Sequence, residues 1–62
     1  MNEADLSLAA QIKANLEERG MPISDTDILI AAYCIVNNYT LVTDNTSDFE
    51  RIEELNLVNW KR

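Results

Sequence analysis

Histidine is absent from this 62-residue chain, and cysteine, glycine and proline occur once each. Without histidine there is no imidazole for acid–base catalysis and none to bind zinc. The single Cys34 cannot form an internal disulfide. One glycine leaves no Gly-rich loop to cradle phosphates. Bases are scarce as well: Lys13, Arg19, Arg51, Lys61 and Arg62 stand against eleven acids, for a net charge of −6. A nonspecific nucleic-acid binder presents a basic face. The acidic balance suits a solvated surface, a carboxylate metal site or a basic partner instead. No apolar run reaches bilayer length, and no charged-then-apolar leader opens the chain. With the lone cysteine, this predicts a reducing cytoplasm and no membrane contact.

What is present is apolar material, at 47% of the residues. That excludes a disordered tail, which requires low hydrophobicity. A chain this short is one domain at most and buries only about 60% of the surface it exposes when unfolded. Small folds add a disulfide, a metal or a partner chain. With the disulfide excluded, a metal or an oligomer remains.

Glu3 to Arg19 is predicted as a helix, because Leu8, Ala9, Ile12 and Leu16 form one stripe. Asn2 can cap its start and Gly20 its end. Met21-Pro22-Ile23 is an extended link, since a residue before proline avoids the helical region. Ser24 starts a second helix with capping-box-like spacing to Asp27. Its body, Ile28 to Val36, is apolar on nearly every face, the pattern of a buried helix. Asn37-Asn38 permits a left-handed turn. Tyr39 to Thr43 is read as a strand, Asp44-Asn45-Thr46 as a turn and Ser47 to Glu53 as a short helix with Phe49 and Ile52 inward. Asn56 to Trp60 alternates as a second strand, with Trp60 closing the core. The order is α-α-β-α-β, and a strand–helix–strand unit makes a parallel pair. Parallel sheets are normally covered on both faces, so two strands alone form an incomplete object.

Two segments carry a family resemblance. One runs from Gly20-Met21-Pro22-Ile23-Ser24 through Asp27-Ile28-Leu29-Ile30-Ala31-Ala32; the other is Leu41-Val42-Thr43-Asp44-Asn45-Thr46-Ser47-Asp48-Phe49, followed by Leu57 to Trp60. Together they resemble the closing half of VapC-type PIN-domain ribonucleases, where an aspartate precedes an apolar helix and a strand ending in Thr enters an Asn/Asp-rich turn. The resemblance implies an α/β, three-layer PIN-like fold, of which residues 1–62 form the C-terminal half and the N-terminal half is absent. It implies an Mg²⁺- or Mn²⁺-dependent endoribonuclease of a toxin–antitoxin pair, with a metal-activated water. Asp27 matches the family's helix aspartate and is the expected catalytic metal ligand. The same residue also serves its helix as an N-terminal acid, worth a few tenths to about 1 kcal/mol, and the two roles are compatible. Asp44 and Asp48 are the alternative turn ligands. Thr43 and Asn45 are supporting polar groups, Asn45 standing where the family often has aspartate.

The family's opening-strand aspartate and a helix glutamate have no counterpart here, and Asp5, on a helix, does not replace the former. Two function classes follow. One is a truncated or split VapC-like nuclease, weak or inactive alone, that binds RNA and Mg²⁺ or Mn²⁺ only if active. The other is a non-catalytic interaction module. The expected partners are a second copy extending the sheet into a homodimer, a separate N-terminal half, or an antitoxin. Tyr33 and Tyr39 are read as packing residues, and Cys34 as a small buried hydrophobe.

Overall fold

The computed structural model describes residues 2–44 and 46–60. Five elements follow in the expected order: α1 (Glu3–Glu18), α2 (Asp25–Val36), β1 (Thr40–Thr43), α3 (Thr46–Phe49) and β2 (Asn56–Asn59). This is a mixed α/β arrangement with a two-stranded parallel sheet.

Helix α1 begins with a complete capping box. The Asp5 backbone N–H donates to Asn2 Oδ1 at 3.0 Å, and the Asn2 backbone N–H donates to Asp5 Oδ2 at 3.3 Å. The helix buries Ala9, Ile12 and Leu16, the predicted stripe. That stripe extends one turn further back to Asp5, which is 2% exposed. Asp5 Oδ1 is buried without a hydrogen-bond partner. Nothing in the spacing singled this residue out, because an acid at the third position of a helix usually faces water.

Both long helices end in a Schellman motif. In α1 the Gly20 N–H bonds Glu17 O at 3.1 Å and the Met21 N–H bonds Leu16 O at 2.8 Å, with Gly20 at φ +70°. In α2 the Asn38 N–H bonds Ile35 O at 3.1 Å and the Tyr39 N–H bonds Cys34 O at 2.7 Å, with Asn38 at φ +59°. Gly20 and Asn38 are therefore the left-handed residues that this closure requires.

Helix α2 is less buried than its composition predicts. Ile28, Ala31, Ala32 and Cys34 are buried, with both alanines at 0% exposure. Ile30, Tyr33 and Val36 remain exposed. The described residues simply do not surround this helix. Tyr33 instead meets Tyr39, with ring centroids 5.8 Å apart and planes tilted by 59°.

The strands pair in register from Thr40↔Asn56 to Thr43↔Asn59. Leu41 and Leu57, mutual partners, pack on the core. Val42 and Val58, also partners, point to an uncovered face. Trp60 follows β2 directly, its N–H bonded to the Thr43 carbonyl at 3.3 Å. It is 60% exposed, so the expectation that it closes the core is overturned. The core is closed instead by Phe49, Ile52 and Leu55. Helix α3 is shorter than predicted. After Phe49 the chain tightens into i→i−3 bonds, Arg51 N–H to Asp48 O and Ile52 N–H to Phe49 O.

Candidate functional site

Asp27 is the third residue of α2. Its backbone N–H donates to the Ser24 N-cap hydroxyl at 3.2 Å. Unlike Asp5 in α1, it does not complete the box: its carboxylate makes no return bond to the Ser24 backbone. The Asp27 carboxylate, half-buried at the positive end of the helix, is thus left for another use. Its neighbour Asp25 is exposed and pairs with Lys13 Nζ at 3.3 Å, as befits a solvent-facing first-turn acid.

Thr43 lies at the carboxyl end of β1, half-buried, and its carbonyl accepts the Trp60 N–H at 3.3 Å. Asp44 follows in an exposed bend, and Asn45 lies outside the described residues. Asp48 sits half-buried in α3, with Oδ1 4.0 Å from Arg51 Nη1. The short Asn37–Tyr39 link sends β1 back along α2. The amino end of α2 and the carboxyl end of β1 therefore face the same end of the fold. In open parallel sheets ligands bind outside the carboxyl ends of the strands.

A hard divalent cation seeks several oxygen ligands. Among the described residues no group of three or more Asp, Glu, Cys or His side chains could hold an ion. Asp27, Asp44 and Asp48 do not form such a group, so these residues alone do not fit a metal centre.

A second feature escaped the sequence reading. A groove of about 370 Å³ runs between α1 and the turn after α3. Gln11, Asn15 and Arg19 line one wall; Arg51, Glu53 and Glu54 line the other. Arg19 Nη1 donates to Asn15 Oδ1 at 3.0 Å and to the Arg51 carbonyl at 3.2 Å. Arg51 Nη1 donates to the Pro22 carbonyl at 3.4 Å. Two arginines far apart in sequence thus converge, a proximity that only the tertiary fold creates. Elsewhere, burial pushes the Cys34 thiol pKa up, consistent with a packing role.

No protein-family model matches the chain. Individual proteins do. It is 42% identical over 52 residues to ribonuclease VapC2 of Rickettsia felis, covering 84% of this chain and 39% of that protein. It is 44% identical over 48 residues to ribonuclease VapC1 of Methanocaldococcus jannaschii, covering 77% and 35%. The tRNA(fMet)-specific endonuclease VapC of Shigella flexneri is 36% identical over 50 residues, covering 81% and 38%. Among solved structures, VapBC-1 from nontypeable Haemophilus influenzae superposes with a TM-score of 0.93 at 29% identity, over 100% of this chain and 46% of that one. The chain spans about two-fifths of the length of these curated relatives.

Proposed function

We propose, from the premise that this chain is a homologue of the VapC ribonucleases, that it supplies the closing part of a PIN-like, metal-dependent endoribonuclease site. The observation that carries this reading is the Asp27 carboxylate, half-buried at a helix N-terminus and not returned to its cap. Asp27 is the leading ligand for Mg²⁺ or Mn²⁺. Asp44 or Asp48 joins it from the turn, with Thr43 and Asn45 as supporting polar groups. The remaining carboxylates come from beyond these 62 residues, whether from the same polypeptide, a separate one or a second copy. When bound, the ion would supply an activated water and neutralise charge on the phosphodiester. The chain's own residues supply one carboxylate at the N-terminus of α2, one in the bend after β1 and one in α3.

The reading extends to partners. A further part of the fold or a second copy covers the face that carries Val42 and Val58. A VapB-like antitoxin binds the assembled protein, as the VapBC neighbour suggests. No helix among the described residues is long and apolar enough to cross a membrane, and the cytoplasm is the proposed setting.

The test is RNA cleavage with Mn²⁺ by the chain, and by any longer polypeptide that contains it, against Asp27→Asn. Cleavage that the variant loses supports the reading. Equal cleavage by both, or none by either, removes the catalytic role.

A further inference from the structure

The described bases are Lys13, Arg19 and Arg51. Lys13 is neutralised by Asp25 at 3.3 Å. Arg19 is not neutralised: its partners are an asparagine oxygen and a backbone carbonyl, both uncharged. Arg51 is only loosely balanced by Asp48 at 4.0 Å and is otherwise tied to the Pro22 carbonyl. In a chain with eleven acids, Arg19 is held by neutral oxygens alone, and Arg51 shares its Nη1 between a carbonyl and a distant carboxylate. Each guanidinium carries five N–H donors in a planar fork, and these contacts engage only Nη1 of each. The other edges suit a tetrahedral oxyanion, which arginine recognises bidentately. Gln11 and Asn15 extend the α1 wall with amide donors, each about 6 Å further along the helix axis.

We propose that the groove between Arg19 and Arg51 binds a backbone phosphate of single-stranded RNA, remote from the bond cleaved. The proposal rests on the ribonuclease reading for the identity of the polyanion, but not on metal or on Asp27. Glu53 and Glu54 line the same wall as Arg51, so an anion held here sits against the guanidinium groups and away from these two acids. Arg51 also contacts Asp48, so a strand seated here runs on toward the turn that carries the candidate ligands. An acidic protein segment is the rival occupant. RNA is favoured because the donor row along α1 is periodic and reads no side chain.

The experiment measures binding of a mixed-sequence single-stranded RNA oligonucleotide in EDTA, by fluorescence anisotropy across a salt series. Arg19→Gln should weaken binding about five-fold, the size of one exposed charge contact. It should also flatten the slope of log K against log salt by roughly 0.7, one phosphate contact. Arg19→Lys should keep the slope. Gln11→Glu, an exposed change that adds an acid to the groove, should weaken binding without touching either arginine, which covers the case where Arg19→Gln fails to fold. Because EDTA removes the metal and no bond is cut, a failed cleavage assay and a failed groove are separable. Unchanged affinity and slope in both Arg19→Gln and Gln11→Glu overturn the proposal. So does Arg19-dependent binding of polyglutamate by a chain that does not bind RNA.

Discussion

Replacing Asp5 by leucine should stabilise the fold, although Asp5 is a capping residue. Two contributions oppose each other. The capping bond from the Asn2 N–H to Oδ2, at 3.3 Å, contributes about 0.5–1 kcal/mol, and an acid near a helix N-terminus adds about 0.3–1 kcal/mol. Against them stands Oδ1, buried and unpartnered, whose desolvation costs about 1–3 kcal/mol. At 2% exposure, a leucine here also adds apolar burial of about 1.5–3 kcal/mol. Its extra volume subtracts from this where Ala9 and its neighbours are already packed. The net expectation is a gain of about 1 kcal/mol. With a urea m-value of about 1 kcal/mol/M for so small a chain, the midpoint should rise by about 1 M. Asp5→Asn, which keeps the shape and an acceptor for the Asn2 N–H, should fall between the two. A loss of more than about 1 kcal/mol in Asp5→Leu would refute the reasoning. Oδ1 would then have a partner in solution, and the carboxyl group would belong to a larger polar network.

Gly20→Ala should cost about 1 kcal/mol in chemical denaturation. No atom lies within 4 Å of the added Cβ, so the whole cost is the left-handed backbone at φ +70°. Asn38→Gly should cost nothing or stabilise slightly, for the same reason in reverse. Cys34 gives the alkaline limb of stability. Burial raises its folded pKa above the ordinary thiol value of 9.0, so the unfolded chain releases the proton first. Its contribution is therefore full below about pH 9 and falls as pH rises beyond it; Cys34→Ala should flatten that limb in pH-dependent unfolding.

Local chemistry was legible in the sequence where one residue decides the outcome. Asn2, Ser24, Gly20 and Asn38 each announced a helix boundary, and each boundary is where it was expected to within a residue or two. The parallel strand pair followed from chain order alone. What the sequence concealed were matters of which side is covered. Alternation along Asn56–Trp60 defines two faces but not which one meets the helices, so Trp60 was assigned to the wrong side. The apolar circumference of α2 promised a surrounded helix, and only Ile28, Ala31, Ala32 and Cys34 are buried while Ile30, Tyr33 and Val36 stay exposed. In the candidate site, Asp27 was recognisable from its motif, while the Arg19–Arg51 groove depends on residues 32 positions apart.

Neither strand carries a charged residue, and the eleven acids lie on the helices, bends and turns. Attraction and repulsion between copies therefore occupy different parts of the surface. The strand edges and the Val42–Val58 face invite pairing, and the acidic helices hold copies apart over roughly a Debye length of 8–10 Å. That balance is colloidal, and acid or salt tilts it. Near the isoelectric point of about 4.2 the repulsion vanishes while the sheet face is unchanged, so a solution clear at neutral pH becomes turbid on acidification unless the sheet is already covered.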